Sequence, residues 1–253
     1  MCDIYAVPIA GVREPFCSFS HVIGACIFTL LAILLVRRGR GDRLRMISLG
    51  IMAYVCIQTL IVSSIYHSLW PGPSRELMLR IDVAGIFLVI AGCLTPVHVI
   101  LFTGMERWAP LGVAWMTAIG GATLRMWYFD SLPSVAGIAL FLMFGWGGAV
   151  TAFVLWRRHG WNFIQPAVFA GLSYTAGAVI LLLHQPMPLQ GVIGPHELWH
   201  LAVLAGLGLH WRFVFKFADG DGQEGPILLP ISGSGSRPPF ATVRGDRRIS
   251  DAA

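Results

Sequence analysis

Charge is what this chain has least of. Asp, Glu, Lys and Arg make up 12% of its 253 residues, and lysine occurs once, as Lys216. Soluble domains carry about a quarter charged residues, so the composition excludes an ordinary water-soluble fold. The lone lysine stands at the end of the last apolar run and not at its middle, which excludes a retinal Schiff base of the seven-helix pigment kind. Cysteine is sparse too. Cys2, Cys17, Cys26, Cys56 and Cys93 are odd in number and mostly lie inside apolar runs. They read as small buried apolar residues and not as a disulfide frame. The first 16 residues lack a basic n-region, and the first apolar run has no A-x-A-like exit, so no cleavable signal is expected.

Apolar surface is what the chain has in excess. Residues of the AVILMFWYC set make up 56% of the sequence, and the mean hydropathy is +0.70. A helix needs about 20 apolar residues to cross a hydrocarbon core of about 30 Å. Seven such runs occur: about Cys17–Val36, Met46–Leu69, Ile81–Thr103, Ala109–Tyr128, Leu132–Trp156, Phe163–His184 and Leu198–Phe217. Pro96 and Pro166 can kink their spans without breaking them. The expected fold class is an all-α membrane protein, a seven-transmembrane-helix bundle over residues 1–217. After Phe217 the composition turns to Gly, Ser, Pro and charge (DGDGQEG, SGSGSRPP, RGDRR). Residues 218–253 are therefore expected to form a disordered polar tail.

A pI near 9.2 might be read as a nucleic-acid footprint, but the arginines cluster at span ends. Arg37, Arg38, Arg40, Arg43 and Arg45 fill the first loop, and Arg157, Arg158 and Arg212 close later spans. That pattern is topological, and nucleic acid is excluded as a partner. The positive-inside rule, decided by the first loop, then places the N-terminus outside and the tail in the cytoplasm.

Seven spans also make a parity argument that does not depend on orientation. The start of span one, the end of span two and the starts of spans three and seven share one membrane face. Polar residues there are Glu14 and His21, Ser63 and His67, Asp82, and His196 with His200. Each of the pairs Ser63/His67 and His196/His200 is four residues apart, on one helix face. Ionisable groups at membrane depth are costly and mark sites. Three histidines from two helices with a carboxylate nearby suit zinc with an open fourth position; magnesium or calcium would call for an oxygen-rich cage. Taken singly, His67 beside Tyr66 and Trp70 also fits an aromatic belt, Asp82 could pair with Arg80 or Arg75, and Ser63 could serve helix packing. His210, ten residues beyond His200, lies too deep to share the ion and reads as a buried hydrogen-bonded residue. His98, His159 and His184 read as interfacial, Arg125 as an anchor, and Gly120–Gly121 and Gly145–Gly148 as close-approach points between helices.

Four segments carry a family resemblance: EPFCSFSHVIG, SSIYHSLW, RIDVAGIFLVIAGCLTP and GPHELWHLAVLAGLGLHW. In order and spacing the chain resembles the hemolysin III branch of the progestin and adipoQ receptor family, whose superfamily includes the alkaline ceramidases. The resemblance implies zinc held by His67, His196 and His200, with the span-three aspartate (here Asp82) holding a water and the span-two serine falling on Ser63. Two departures stand out. Similar members usually have Asn where Cys17 stands and His where Val83 stands, which sets the polar cluster around His21 apart. The related receptors are also N-terminus-in, against the arginine distribution here.

The leading functional expectation is a zinc hydrolase acting on a membrane lipid or lipid-like amide or ester, in the inner membrane of a bacterium. Asp82 would orient a water or take its proton, and Ser63 would help hold an oxyanion. A receptor-like or sensor bundle with structural zinc is the alternative. Pore formation, suggested by the branch's name, has less behind it because few spans carry a polar stripe.

Overall fold

The computed structural model describes residues 8–9, 11–189 and 192–221. Seven helices follow one another among them: α1 Pro15–Arg38, α2 Arg43–Ser68, α3 Pro73–Leu101, α4 Gly104–Trp127, α5 Ser134–His159, α6 Trp161–Leu183 and α7 Pro195–Phe215. Six are long and apolar enough to cross a membrane. The exception is α4, which carries Glu106, Arg107, Pro110 and Arg125 within its length. The expected seven-helix bundle is the observed architecture. Of the stretch expected as a tail, residues 222–253 lie outside the described residues. At its start, Ala218 is buried and the Asp219 carboxylate pairs with Arg38 at 2.8 Å.

Helix limits follow local chemistry more closely than hydropathy. Asp42 caps α2 by accepting the Arg45 amide at 2.9 Å, as N-cap aspartates do. Pro73 takes the first position of α3, where a missing N–H costs nothing. That helix therefore starts about two turns before its apolar run, and Asp82 lies well inside it instead of at its edge. Hydropathy reports lipid contact; it does not report where a helix begins.

In the bundle, α2 packs between α1 and α3, α4 lies on α3, and α6 pairs with α7. The ring closes where α1 meets α7, while α5 rests mainly on α6. Met52, Cys56 and Leu60 of α2, Val97 and Leu101 of α3, and Leu207, Trp211 and Val214 of α7 form the core. Leu30, Leu34, Met116 and Val150 point outward and are exposed, as suits a surface solvated by lipid chains.

Close approach of α6 and α7 depends on two glycines. A Cβ on Gly177 would come 2.6 Å from the Ala202 Cβ, and one on Gly206 would come 2.5 Å from the Tyr174 ring. Small residues at such crossings let backbones pack where lipid offers no hydrophobic drive. Of the glycines expected in this role, Gly121 does meet Phe87, at 2.5 Å for an added Cβ, whereas Gly120, Gly145 and Gly147 face open space. His98 also differs from expectation. It sits at the expected end of α3 but is buried, bonding Thr151 of α5 at 3.1 Å and the Glu106 carbonyl at 3.2 Å.

Candidate metal centre

Three chain segments converge at one end of the bundle. The residues before α1 dock on the end of α2, where the Glu14 amide donates to the His67 carbonyl at 3.0 Å. Arg75, in the first turn of α3, caps the same helix end by donating to the Tyr66 and Leu69 carbonyls at 3.1 and 2.9 Å. On the far side, α7 opens with Gly194, Pro195 and Glu197; the Glu197 carboxylate takes the Gly194 amide at 2.9 Å. This is the glutamate half of a capping box. It starts the helix immediately before His196, so His196 and His200 present one face over the first two turns.

The expected histidines meet. His196 Nε2 lies 3.4 Å from His67 Nε2 and 3.0 Å from His200 Nε2. His67 Nδ1 bonds Glu14 Oε2. A carboxylate can only accept, so that nitrogen holds the proton and His67 Nε2 turns a bare lone pair inward. His196 Nε2 carries at most one proton between two neighbours, so protons alone cannot satisfy the three nitrogens. A tetrahedral ion with N ligands at about 2.0–2.1 Å needs nitrogens about 3.3 Å apart; the His196–His67 separation of 3.4 Å matches this and the His196–His200 separation of 3.0 Å falls slightly short of it. Cys17 joins them: one donor atom each from Cys17, His67, His196 and His200 lie within 4.8 Å of one another, a group that could hold a metal ion.

A charged chain backs this cluster. Glu14 Oε1 accepts from Arg75 at 2.7 Å, and the Arg75 guanidinium lies 4.3 Å over the Tyr66 ring. Burial works to raise the Glu14 pKa, but the hydrogen bond from His67 Nδ1 and the Arg75 guanidinium outweigh it and hold the carboxyl below the usual carboxylate range. Arg75–Glu14–His67 has the form of the carboxylate–histidine support that fixes tautomer and ring orientation in metal sites. His200 Nδ1 has its own partner, His21 Nε2, at 2.8 Å.

Asp82 and Ser63 stand beside the histidines. Ser63 is buried and its hydroxyl meets the Asp82 carboxylate, which also faces His67. Asp82 is only half-buried because it lines a cavity of about 1300 Å³, together with Ser63, His21, His196 and His200. The cavity continues past Phe141, Tyr174 and His210 and reaches the outward-facing Trp156 and Trp161 beside α5 and α6. It thus joins the polar cluster to the lipid-facing side of the bundle. Arg125 also lines it: the side chain is buried, stacks 4.6 Å over Phe129, and has no hydrogen-bond partner for Nε or Nη1 among the described residues. It is a cavity wall and not the surface anchor expected.

Other expectations fare differently. Asp82 is not taken up by a neighbouring arginine: Arg75 holds Glu14, and Arg80 pairs with Asp130 at 2.5 Å. His210 bonds the Cys93 carbonyl at 3.1 Å, away from the cluster, as its depth demanded. Two residues were undervalued by sequence reasoning. Cys17 read as a small apolar filler, although its four-residue spacing from His21 was a signal. Arg75 read as an edge charge, and no sequence spacing ties it to Glu14, 61 positions away.

The family model for Haemolysin-III related proteins matches residues 10–211. The chain is 26% identical to "Hemolysin-3" of Bacillus cereus over 194 residues, 75% of this chain and 84% of that protein. It is 20% identical to "Hemolysin-3 homolog" of Bacillus subtilis (strain 168) over 191 residues, 75% and 86% of the two chains. The matched region runs from the segment before α1 through α7 and takes in every helix that contributes to the histidine cluster. With this bundle and this cluster, the chain belongs to the haemolysin III family of multi-pass membrane proteins.

Proposed function

We propose that the chain is a zinc-dependent hydrolase of a lipid-like amide or ester, with His67, His196 and His200 holding the ion and Asp82 and Ser63 as catalytic residues. The observation that carries this reading is the meeting of three imidazole Nε2 atoms and a cavity-facing carboxylate at the head of an apolar chamber open toward lipid. When bound there, zinc would supply Lewis acidity toward a carbonyl and acidify a water. Asp82 would hold a water by hydrogen bond and accept a proton, a role open to a carboxylate within reach of both cavity and cluster. Ser63 gives its one O–H proton to Asp82 and so orients that carboxylate; turned instead toward the carbonyl oxygen, the same hydroxyl would steady charge building there. The apolar walls seat an acyl chain, and the Arg125 guanidinium supports a substrate with a polar, oxygen-bearing head. The arginine-rich first loop supports an inner-membrane orientation with the N-terminus and this centre on the outer side.

The presence of Cys17 in the group favours a second reading, a structural metal that staples α1, α2 and α7 in a receptor-like bundle. One experiment separates the two. Purified protein is analysed for metal content and assayed against a panel of ceramides and acyl esters, beside His196→Ala and Asp82→Asn. The hydrolase reading expects about one zinc per chain, lost in His196→Ala, and turnover that falls by about 100-fold or more in Asp82→Asn with the metal retained. Zinc-loaded protein that hydrolyses nothing on the panel overturns it.

A further inference from the structure

We propose that Cys17 is a fourth ligand to the metal, its thiolate closing the position that a nucleophilic water would need, so that the protein rests in a capped form that opens when the sulfur withdraws. This rests on the metal reading above and adds a residue and a state to it.

Cys17 is fully buried in the first turn of α1, and α1 is held to α2 by the Glu14 amide bond to the His67 carbonyl. That bond helps bring the sulfur beside the histidine cluster. Its Sγ is part of the group whose donor atoms lie within 4.8 Å of one another. A tetrahedral ion with one sulfur at about 2.3 Å and nitrogens at about 2.0–2.1 Å sets S–N separations near 3.6 Å. The sulfur therefore needs to move by about 1.2 Å at most, within reach of a χ1 adjustment and small helix shifts.

Charge points the same way. Three neutral imidazoles put no charge among the ligands of a divalent cation, which is costly in a buried site even with the Asp82 carboxylate standing nearby. Glu14 is already matched by Arg75 at 2.7 Å. The first turn of a helix offers unpaired amides that favour an anion such as a thiolate. The thiol also has a route for its proton. Cys17 Sγ donates to Glu197 Oε1 at 3.4 Å; on ligation that hydrogen bond is given up, the S–H proton is released to solvent, and a sulfur lone pair forms the new bond. Reversal restores the Cys17–Glu197 hydrogen bond and frees one coordination position. The ion and Glu197 are thus alternative partners of the sulfur.

The test is X-ray absorption of zinc-loaded, full-length protein in detergent, with zinc affinity measured by chelator competition. Wild type is expected to show one sulfur near 2.3 Å beside nitrogens near 2.0–2.1 Å. Cys17→Ser is expected to lose the sulfur shell and to weaken zinc binding by more than the about 10–100-fold typical of an outer partner. Cys26→Ser, an exposed cysteine on the same helix, is expected to change neither. The wild-type spectrum decides the matter without any variant. Bound zinc with only nitrogen and oxygen neighbours overturns the thiolate inference and leaves the three-histidine reading standing. A sulfur shell that survives Cys17→Ser overturns it as well. Protein that takes up no zinc overturns both.

Discussion

Replacing Glu14 by Gln keeps shape and removes charge, and so isolates what this buried carboxylate does for the histidine cluster. Glu14 is 2% exposed, with His67 Nδ1 on one oxygen and Arg75 at 2.7 Å on the other. A glutamine has one accepting oxygen and an NH2 donor, so one of the two partners must face a donor. Breaking a buried ion pair from one side costs about 3–5 kcal/mol. The lower end applies, because Arg75 retains the Tyr66 and Leu69 carbonyls and the Tyr66 ring. At this chain length about 1 kcal/mol moves the midpoint by about 2–4 °C, so about 3 kcal/mol predicts a fall of about 6–12 °C in excess chelator. Metal affinity is a separate quantity. Outer partners of liganding histidines contribute about 10–100-fold, which is about 1.4–2.7 kcal/mol. Zinc dissociation constants from competition with a chromophoric chelator, together with melts in chelator, read the two effects independently. A lower midpoint with unchanged zinc affinity makes Glu14 a strap between α1 and α2 and nothing more. If neither quantity moves, the account of the Arg75–Glu14–His67 chain is refuted.

Three further outcomes are expected. Gly206→Ala drives a Cβ to 2.5 Å from the Tyr174 ring; it should cost about 1–3 kcal/mol by overpacking and weaken zinc binding by displacing α7. Gly145→Ala, in open space, should instead be neutral or stabilise by up to about 1 kcal/mol, and equal effects in the two variants would contradict the packing described. His98→Leu leaves the Thr151 hydroxyl and the Glu106 carbonyl without their partner. A loss of about 1–3 kcal/mol and faster proteolysis around α5 are expected; an unchanged melt would show that His98 does not tether that helix. Zinc at about 100 times its dissociation constant should stabilise wild type by about 2.7 kcal/mol and leave His196→Ala where it was, which thermal unfolding with and without zinc checks directly.

Much of the architecture was legible before any coordinates. Lipid demands long apolar helices with every backbone group bonded internally, so composition and run length suffice to count the rods and locate their middles. Parity then assigns each rod end to a face, and the four-residue spacing of His196 and His200 puts both on one side of α7. The edges were harder. Pro73 and the polar turn after it extend α3 well beyond its apolar run, and α4 carries enough charge to fall below a spanning helix's hydropathy although it packs like one. Glycine roles could not be read from sequence either, because whether a missing Cβ matters depends on what stands opposite: Tyr174 at Gly206, nothing at Gly145.

Sequence by itself determined the solvent this protein is made for, the number of its helices and the face on which its ionisable groups gather, because those follow from periodicity and from the high cost of charge in hydrocarbon. Only the tertiary structure decided which groups touch. Arg75 might have held Asp82 and instead holds Glu14; that choice leaves Asp82 facing the cavity and commits the His67 proton away from the cluster. Cys17 became a candidate ligand through the docking of α1 on the end of α2. Contacts between residues tens to hundreds of positions apart are set by helix rotation and crossing, and these depend on side-chain packing summed over the whole bundle, which no local pattern encodes.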